Sequence, residues 1–227
     1  ELVHDPEIAF LLSPRNAIGC KRLCADTNYF DTYNRPNVRL VDLQHDPIQH
    51  LVSGGIKTLN NTFSLDVIVF AIGFDAMTGA LLAIDIKGKK DEKLKDKWID
   101  GPRSYLGLLT AGFPNMFTIT GPGSPSVLTN MFSAIEQHVN WTAQCIKFMQ
   151  TSGYTEIEAQ VEAENQWMDH VEEVANQTLR YTCNSWYLGA NIPGKTRVFM
   201  PYAGGIPQYI EKCNEVSSSD YNGFNFS

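Results

Sequence analysis

Hydrophobic and polar positions along the chain alternate between short runs typical of strands and longer stretches with helical spacing. Residues 37–43 (N-V-R-L-V-D-L) alternate and then continue apolar, which predicts a strand. The dipeptide Gly54-Gly55 predicts a turn, so residues 56–62 are expected to begin the second arm of a hairpin. Residues 66–71 (D-V-I-V-F-A) are rich in β-branched and aromatic side chains, which predicts a strand buried on both faces of a parallel sheet.

The second half of the chain has a short strand pattern followed by two helical patterns. M-F-T-I-T at 116–120 predicts a strand, and the Gly-Pro-Gly cluster after it predicts a break. Ser133 with Glu136, and Thr155 with Glu158, match capping boxes and predict two helix starts. The apolar positions with helical spacing are Ile135, Val139, Ala143, Ile146 and Met149 in the first helix, and Ile157, Val161, Trp167 (or Met168), Val171, Val174 and Leu179 in the second. Strands and capped helices together indicate an α/β fold.

Composition and charge exclude several classes of protein. The 227 residues are 43% hydrophobic and 19% charged, which is typical of a globular protein of one large or two small domains. With 18 basic against 25 acidic residues the net charge is −7, which argues against nucleic acid and anionic membrane as partners. The most apolar stretch, residues 65–74, contains an aspartate and is too short to span a membrane.

The cysteines and the start of the chain bear on the compartment. Five cysteines, an odd number, are widely scattered, so a disulfide framework is not expected and the cytoplasm is the default location. They are Cys20, Cys24, Cys145, Cys183 and Cys213. The N-terminal E-L-V-H-D-P-E has no pattern of a signal peptide.

Because ordinary domain sequence begins at once at Glu1, the chain is expected to be one piece of a larger protein.

Common catalytic and metal motifs are missing from the sequence. Cys20 and Cys24 do not form a C-x-x-C pair and the five histidines are isolated, so no metal site is expected. An isolated histidine such as His138 is more often a surface or core residue than a ligand. The closest approach to a dinucleotide fingerprint is Gly121-x-Gly123-x-x-Ser126, which an ordinary strand-to-helix turn explains as well.

The adjacent cations Lys21 and Arg22 are the most informative local feature. They lie among apolar residues, and adjacent side chains in an extended segment point in opposite directions. One cation can therefore face a phosphate while the other faces a reaction centre. The alternative is a pair of ordinary surface cations.

Three stretches together resemble the C-terminal part of type I Baeyer–Villiger monooxygenases, which use FAD and NADPH to insert oxygen beside a carbonyl. These are G-C-K-R-L-C-A-D-T-N-Y-F-D-T-Y-N-R-P-N-V at 19–38, D-V-I-V-F-A-I-G-F-D-A-M-T-G at 66–79, and T-A-G-F-P-N-M-F-T-I-T-G-P-G-S-P-S at 110–126. The stretch S-W-Y-L-G-A-N-I-P-G-K at 185–195 belongs to the same pattern. One departure is Ile72, where the family has a threonine. The family's N-terminal G-x-G-x-x-G fingerprints and its F-x-G-x-x-x-H-x-x-x-W signature are missing from this sequence.

The resemblance implies a Rossmann-like flavoprotein with two dinucleotide-binding domains, of which this chain is about the last two-fifths and is incomplete on its own. Residues 1–65 would be the end of the NADP-binding domain and the return linker. Residues 66–180 would be the C-terminal part of the FAD-binding domain, and 181–227 a loop and tail that wrap the core. The isolated chain is expected to be inactive without the N-terminal part of the enzyme.

The resemblance also implies roles for single residues. Arg22 matches the active-site arginine, which is catalytic and contacts the cofactors, and Lys21 matches the residue that meets the 2′-phosphate of NADPH. Met131 matches an active-site position at a helix start. Trp186 matches a contact to the nicotinamide nucleotide or substrate, with core packing as the alternative. The substrate pocket is expected to include Ser126, Val127, Leu128 and Met131.

The implied reaction converts a ketone, O2 and NADPH into an ester or lactone. One alternative is a related flavin monooxygenase that oxidises nitrogen or sulfur, and another is a non-catalytic remnant or interaction module. Arg22 favours the ketone reaction over both alternatives, because oxygen insertion beside a carbonyl develops a negative charge that a fixed cation stabilises.

Overall fold

The computed structural model describes residues 2–227 and divides the chain into two compact units. The first unit contains the residues up to Asn16 together with Leu23–Gly73. The second contains Ala17–Arg22 together with Phe74–Ser227. No helix in the described part of the chain is long and apolar enough to cross a membrane.

The first unit has two short helices and a small antiparallel sheet. Its elements are α1 (Pro6–Leu12), α2 (Tyr29–Thr32), β1 (Ile48–Val52), β2 (Gly55–Thr58) and β3 (Thr62–Ser64), with strand order β1-β2-β3. A hairpin exists close to the predicted place, with its turn between Val52 and Gly55. Its second arm ends at Thr58, and Thr62 already belongs to a third strand, so the predicted arm over 56–62 is too long. Gly55 is required there, because an added Cβ would lie 1.8 Å from the carbonyl oxygen of Phe63 on the neighbouring strand.

The second unit is largely helical and carries one two-stranded antiparallel sheet. Its elements are α3 (Gly79–Leu82), α4 (Leu94–Lys97), α5 (Met131–Ser152), β4 (Ile157–Ala159), α6 (Val161–Asn176), α7 (Ile206–Ser218) and β5 (Phe224–Phe226), which pairs with β4. Four 3₁₀ turns lie at Lys89–Asp91, Ser126–Leu128, Leu179–Thr182 and Trp186–Leu188. The tail beyond residue 181 thus adds both a helix and a strand to this unit.

An aromatic core joins α5, α6 and α7. Trp141 on α5 donates from its indole Nε1 to the carbonyl oxygen of Cys213 on α7 (3.1 Å) and packs edge-on against Tyr221. Buried Glu164 on α6 accepts from the backbone N–H of Ala111 (2.9 Å) and pairs with the Lys97 ammonium (3.0 Å). A buried carboxylate is stable only when it is paired and hydrogen-bonded in this way.

Three predicted strands, residues 37–43, 66–71 and 116–120, are wrong, since the structure has no strand at any of them. A strand needs a neighbouring backbone to pair its N–H and C=O groups. In the described sheets, none of these segments is hydrogen-bonded to a neighbouring strand. Backbone N–H groups of 116–120 bond to groups outside any strand: that of Thr118 donates to the carbonyl oxygen of Leu108 (2.8 Å), and that of Thr120 to Nδ1 of His138 (2.9 Å).

Both predicted helices exist, but their starts and buried faces differ from expectation. The first begins after Asn130, whose side chain accepts from the N–H of Phe132, so the capping box at Ser133 is wrong. The second begins after Gln160, and the residues around Thr155 lead into β4 instead. The residues that α5 buries are Ala134, His138, Trp141, Cys145 and Met149, whereas Ile135, Val139 and Ile146 of the predicted stripe are exposed.

Candidate functional site

Arg22 lies at the end of the Ala17–Arg22 segment of the second unit. Its guanidinium Nη1 donates to the backbone carbonyl oxygen of Val127, 2.9 Å away and 105 positions later in the chain. Lys21 beside it is also exposed, whereas Cys20 before it is fully buried. The structure therefore brings Arg22 together with one of the residues expected to line the pocket.

The expected pocket residues form the 3₁₀ turn Ser126–Leu128. Ser126 is buried with φ at +42°, and its Oγ contacts the sulfur of Met77 (3.6 Å), which itself has φ at +70°. Non-glycine residues in this left-handed region store backbone strain, and such strain concentrates at functional sites. The turn is thus held in a costly conformation by the structure around it.

Met131 is the first residue of α5 and is half-buried. The Asn130 side chain caps the helix by accepting from the N–H of Phe132 (3.1 Å). The helix is 22 residues long, so its backbone dipoles favour negative charge near this end. Met131 follows the Ser126–Leu128 turn closely in the chain, and the turn and the helix are in contact.

Trp186 opens the 3₁₀ turn Trp186–Leu188, and its ring lies 4.4 Å from the Tyr187 ring, centre to centre. It is half-buried and packs on the same hydrophobic cluster as Val127 and Leu128. The buried members of that cluster are Ala175, Tyr187, Leu188 and Phe199. The expected pocket residues and the expected nucleotide contact therefore share one packed cluster.

The segment after Trp186 is anchored by contacts that the sequence analysis missed. The Lys195 ammonium bonds to the Asp75 carboxylate and to the Thr78 hydroxyl (2.7 Å). Asn191 donates from its side-chain amide to the carbonyl oxygen of Phe74 (2.9 Å). Asp75 directly follows A-I-G-F and Lys195 ends S-W-Y-L-G-A-N-I-P-G-K, so both motifs carried the signal, but only the fold pairs them.

A disulfide was not expected, yet the structure joins Cys20 to Cys183 across 163 positions, with Cα atoms 6.1 Å apart. The sequence alone gives no sign of this pairing, because the two cysteines lie far apart in the chain and Cys183 lies outside the four motifs. Cys20 lies two residues before Arg22, and Cys183 lies three residues before Trp186.

Charged side chains act on the tyrosines of this cluster. Burial raises the pKa of the Tyr187 hydroxyl, while the charges of Arg180 and Arg22 act in the opposite direction. Both guanidinium groups are therefore close enough to Tyr187 to act on its charge. Burial and then the Glu172 carboxylate raise the pKa of the Tyr181 hydroxyl, and Tyr181 packs on the same cluster. Charges of both signs therefore act on this cluster.

His138 is a core residue. The sequence analysis expected a surface or core residue rather than a metal ligand at this position. It is fully buried, and its Nδ1 accepts from the N–H of Thr120 (2.9 Å) while its Nε2 bonds to the Tyr209 hydroxyl (2.8 Å). Among residues 2–227 no three His, Cys, Asp or Glu side chains are grouped to hold a metal ion.

Solved structures share this fold over the whole chain. An oxidised steroid monooxygenase bound to NADP is 46% identical, with a TM-score of 0.91 over 99% of this chain and 42% of its own. A structure described as OTEMO in complex with FAD and NADP is 40% identical, with a TM-score of 0.95 over 100% of this chain and 42% of its own.

Curated relatives are monooxygenases as well, although no family model matches the chain. Acetone monooxygenase (methyl acetate-forming) of Gordonia sp. strain TY-5 is 39% identical over 98% of this chain and 42% of its own length. A Baeyer–Villiger monooxygenase of Pseudooceanicola batsensis is 37% identical over 97% of this chain and 40% of its own length. Phenazine N-monooxygenase PhzNO1 of Lysobacter antibioticus is 38% identical over 99% and 41%.

The chain matches the C-terminal part of Baeyer–Villiger monooxygenases, and it spans about two-fifths of the length of the relatives it matches. The resemblance seen in the four sequence motifs is confirmed, as is a fold that corresponds to the C-terminal portion of these mixed helix-and-sheet flavoproteins. The domain boundaries and the roles of single site residues stay predictions.

Proposed function

We propose that this chain is the C-terminal part of a flavin-dependent Baeyer–Villiger monooxygenase, which uses NADPH and O2 to convert a ketone into an ester or lactone. The observation that carries the proposal is the convergence of three segments that lie far apart in the sequence. Arg22 bonds to Val127, and Val127 packs on the same cluster as Trp186. A fixed cation beside an apolar turn suits a reaction that develops negative charge on a carbonyl oxygen.

FAD and NADPH are the proposed cofactors, and the residues present fit their anionic groups. Lys21 and Arg22 expose two adjacent cations, and α5 begins close to the Ser126–Leu128 turn. Ammonium groups, guanidinium groups and helix N-termini are common partners of phosphates. Bound FAD and NADPH would supply the redox chemistry of oxygen transfer. We assign Lys21 to the 2′-phosphate of NADPH, and Arg22, Met131 and Trp186 to contacts with the cofactors.

Arg22 is the proposed catalytic residue. A guanidinium does not lose its proton in proteins, so it keeps its charge throughout the reaction. Its bond to the Val127 carbonyl oxygen positions the guanidinium against the pocket turn before any substrate arrives. Charge that is oriented in advance stabilises an oxyanion without the cost of reorganisation.

The ketone would bind against Ser126, Val127, Leu128 and Met131. Val127, Leu128 and Met131 are apolar and half-buried, so each leaves surface that a substrate can cover. Burial of this surface would favour an apolar ketone. The fixed, strained backbone of the turn would hold that surface in one shape.

The rest of the protein is proposed to supply what this chain lacks. The relatives are more than twice as long, and the phosphate-binding fingerprints of the family are missing from this sequence. We expect an N-terminal part to provide them, and the isolated chain to be inactive. We place the protein in the cytoplasm, where buried thiols such as Cys145 and Cys213 persist.

An alternative is oxidation of a nitrogen or sulfur atom, which the phenazine N-monooxygenase relative favours. That reaction needs no stabilised carbonyl oxyanion, so the fixed position of Arg22 supports the ketone reaction instead. A non-catalytic role is the third candidate. Parallel assays of a ketone and a sulfide with the complete protein distinguish all three.

The direct test is Arg22→Ala in the complete protein. We expect ester formation to fall about 10²–10³-fold or more, because one oriented electrostatic contact is lost. NADPH consumption should persist in part, with hydrogen peroxide as the product. Arg22→Lys should restore activity only partly, since lysine offers a point charge without a planar fork.

Ester, NADPH and peroxide are measured together. Arg35→Ala, at an exposed arginine of the first unit, is the matched control and should leave all three unchanged. Near-normal ester yield in Arg22→Ala would refute the catalytic role.

A further inference from the structure

We propose that Cys20 and Cys183 form a reversible redox latch, at which oxidation by a peroxide ties the Lys21–Arg22 segment to the Trp186 turn. The latch itself is independent of the monooxygenase reaction. Only its consequence for turnover rests on the proposed function.

The backbone geometry is compatible with a disulfide between these cysteines. Their Cα atoms are 6.1 Å apart, within the range of about 4.4–6.8 Å that disulfides require. Cys20 is fully buried, whereas Cys183 is only half-buried. A small oxidant can therefore reach Cys183, with Cys20 placed behind it as the resolving thiol.

The latch lies where it can control the candidate site. Arg22, two residues after Cys20, bonds to Val127, and Trp186, three residues after Cys183, packs on the same cluster as Val127. A covalent bond between the cysteines connects the segment that carries Arg22 directly to the segment that carries Trp186. Without it, the two segments are joined only by non-covalent contacts and can separate more easily.

Basic residues lie near both cysteines in the sequence. A thiolate is the reactive form of cysteine. Lys21 and Arg22 follow Cys20 directly, and Arg180 precedes Cys183 by three positions. The charges of Arg22 and Arg180 both lower the pKa of the Tyr187 hydroxyl, against the larger effect of burial.

Hydrogen peroxide is the oxidant we propose, and the step balances. The Cys183 thiolate attacks one peroxide oxygen, which breaks the O–O bond, releases hydroxide and leaves a sulfenic acid. The Cys20 thiolate then attacks that sulfur and displaces a second hydroxide. The two protons released by the thiols convert both hydroxides to water. Two thiols and one peroxide thus give one disulfide and two waters, with sulfur oxidised and oxygen reduced.

The test uses the full chain, first reduced with dithiothreitol and then treated with one equivalent of hydrogen peroxide. Peptide mapping under non-reducing conditions should find a Cys20–Cys183 cross-link that dithiothreitol reverses. Amide hydrogen exchange over residues 183–190 should be roughly tenfold slower in the oxidised form, which corresponds to about 1.4 kcal/mol of local stability.

Variants separate the latch from general effects of oxidation. Cys183→Ser and Cys20→Ala should each abolish both the cross-link and the change in exchange, whereas Cys24→Ser should keep both. The proposal is refuted if Cys20 pairs with Cys24, or if exchange is the same in both forms. None of these measurements depends on turnover, so they stand whatever the Arg22 variants show. In the complete protein, peroxide treatment should slow ester formation several-fold, and dithiothreitol should restore it.

Discussion

Two apolar stretches of this chain differ sharply in solvent exposure. Residues 65–74 expose most of their apolar side chains, with Val69 at 82%, Ile72 at 85% and Phe74 at 88%. On the inner face of α5, Trp141 is 4% exposed and Cys145 is completely buried. Both stretches are apolar in sequence, so hydrophobicity alone does not decide which of them enters a core.

The difference is the availability of partners. The inner face of α5 meets α7 and the aromatic side chains near the C-terminus, which supply both apolar surface and hydrogen-bond acceptors. Residues 65–74 follow the last strand of a three-stranded sheet and find no further strand in the described chain. An extended segment needs a neighbouring backbone as well as apolar contacts, and here neither is present.

The largest expected effect is on the buried stretch. Trp141→Ala removes an indole that packs on Tyr221 and Phe224 and leaves the carbonyl oxygen of Cys213 without its donor. We expect a loss of about 3–5 kcal/mol in the free energy of unfolding. Phe132→Ala, on the same helix but 83% exposed, should cost no more than about 0.5 kcal/mol. Urea denaturation of both variants checks the comparison, and equal losses would contradict it.

A second effect comes from pH and also belongs to the buried face of α5. Burial lowers the pKa of His138 from 6.5 to about 4, so the folded chain resists a proton that the unfolded chain accepts. The stabilisation is complete above pH 6.5 and is lost as the pH falls towards 4. The loss should reach about 3 kcal/mol at pH 4.

His138→Gln removes the titrating group and keeps an acceptor and a donor in its place. Urea denaturation at several values between pH 7 and pH 4.5 should therefore give this variant a flatter pH dependence than the natural chain. If the two slopes agree, His138 is not the group responsible.

The smallest effect on stability is expected in the exposed stretch. Val69→Lys and Ile72→Lys should change the free energy of unfolding by no more than about 0.5 kcal/mol, because both side chains are already in solvent. They should reduce self-association, since exposed apolar stretches favour it. Sedimentation velocity measures association directly. A variant that unfolds easily would mean that this stretch is buried after all.

The sequence alone determined the features that depend on neighbouring residues or on whole motifs. The turn before Gly55 and the existence of both long helices follow from the sequence, because turn residues and helical periodicity act over a few positions. The four motifs alone indicate the relationship to Baeyer–Villiger monooxygenases. The resemblance also implies site roles for Arg22 and Val127, which the structure joins by a hydrogen bond.

Only the tertiary structure decided which surfaces found partners. Asn130 replaced the expected helix cap, α5 turned His138 and Trp141 inward, and the apolar stretch before Phe74 formed no strand. Cys20 and Cys183 met across 163 positions. Each of these outcomes depends on contacts between residues far apart in the chain. The local sequence pattern shows which side chains are apolar. Only the tertiary packing determines which of them are buried, because burial requires other residues to cover them.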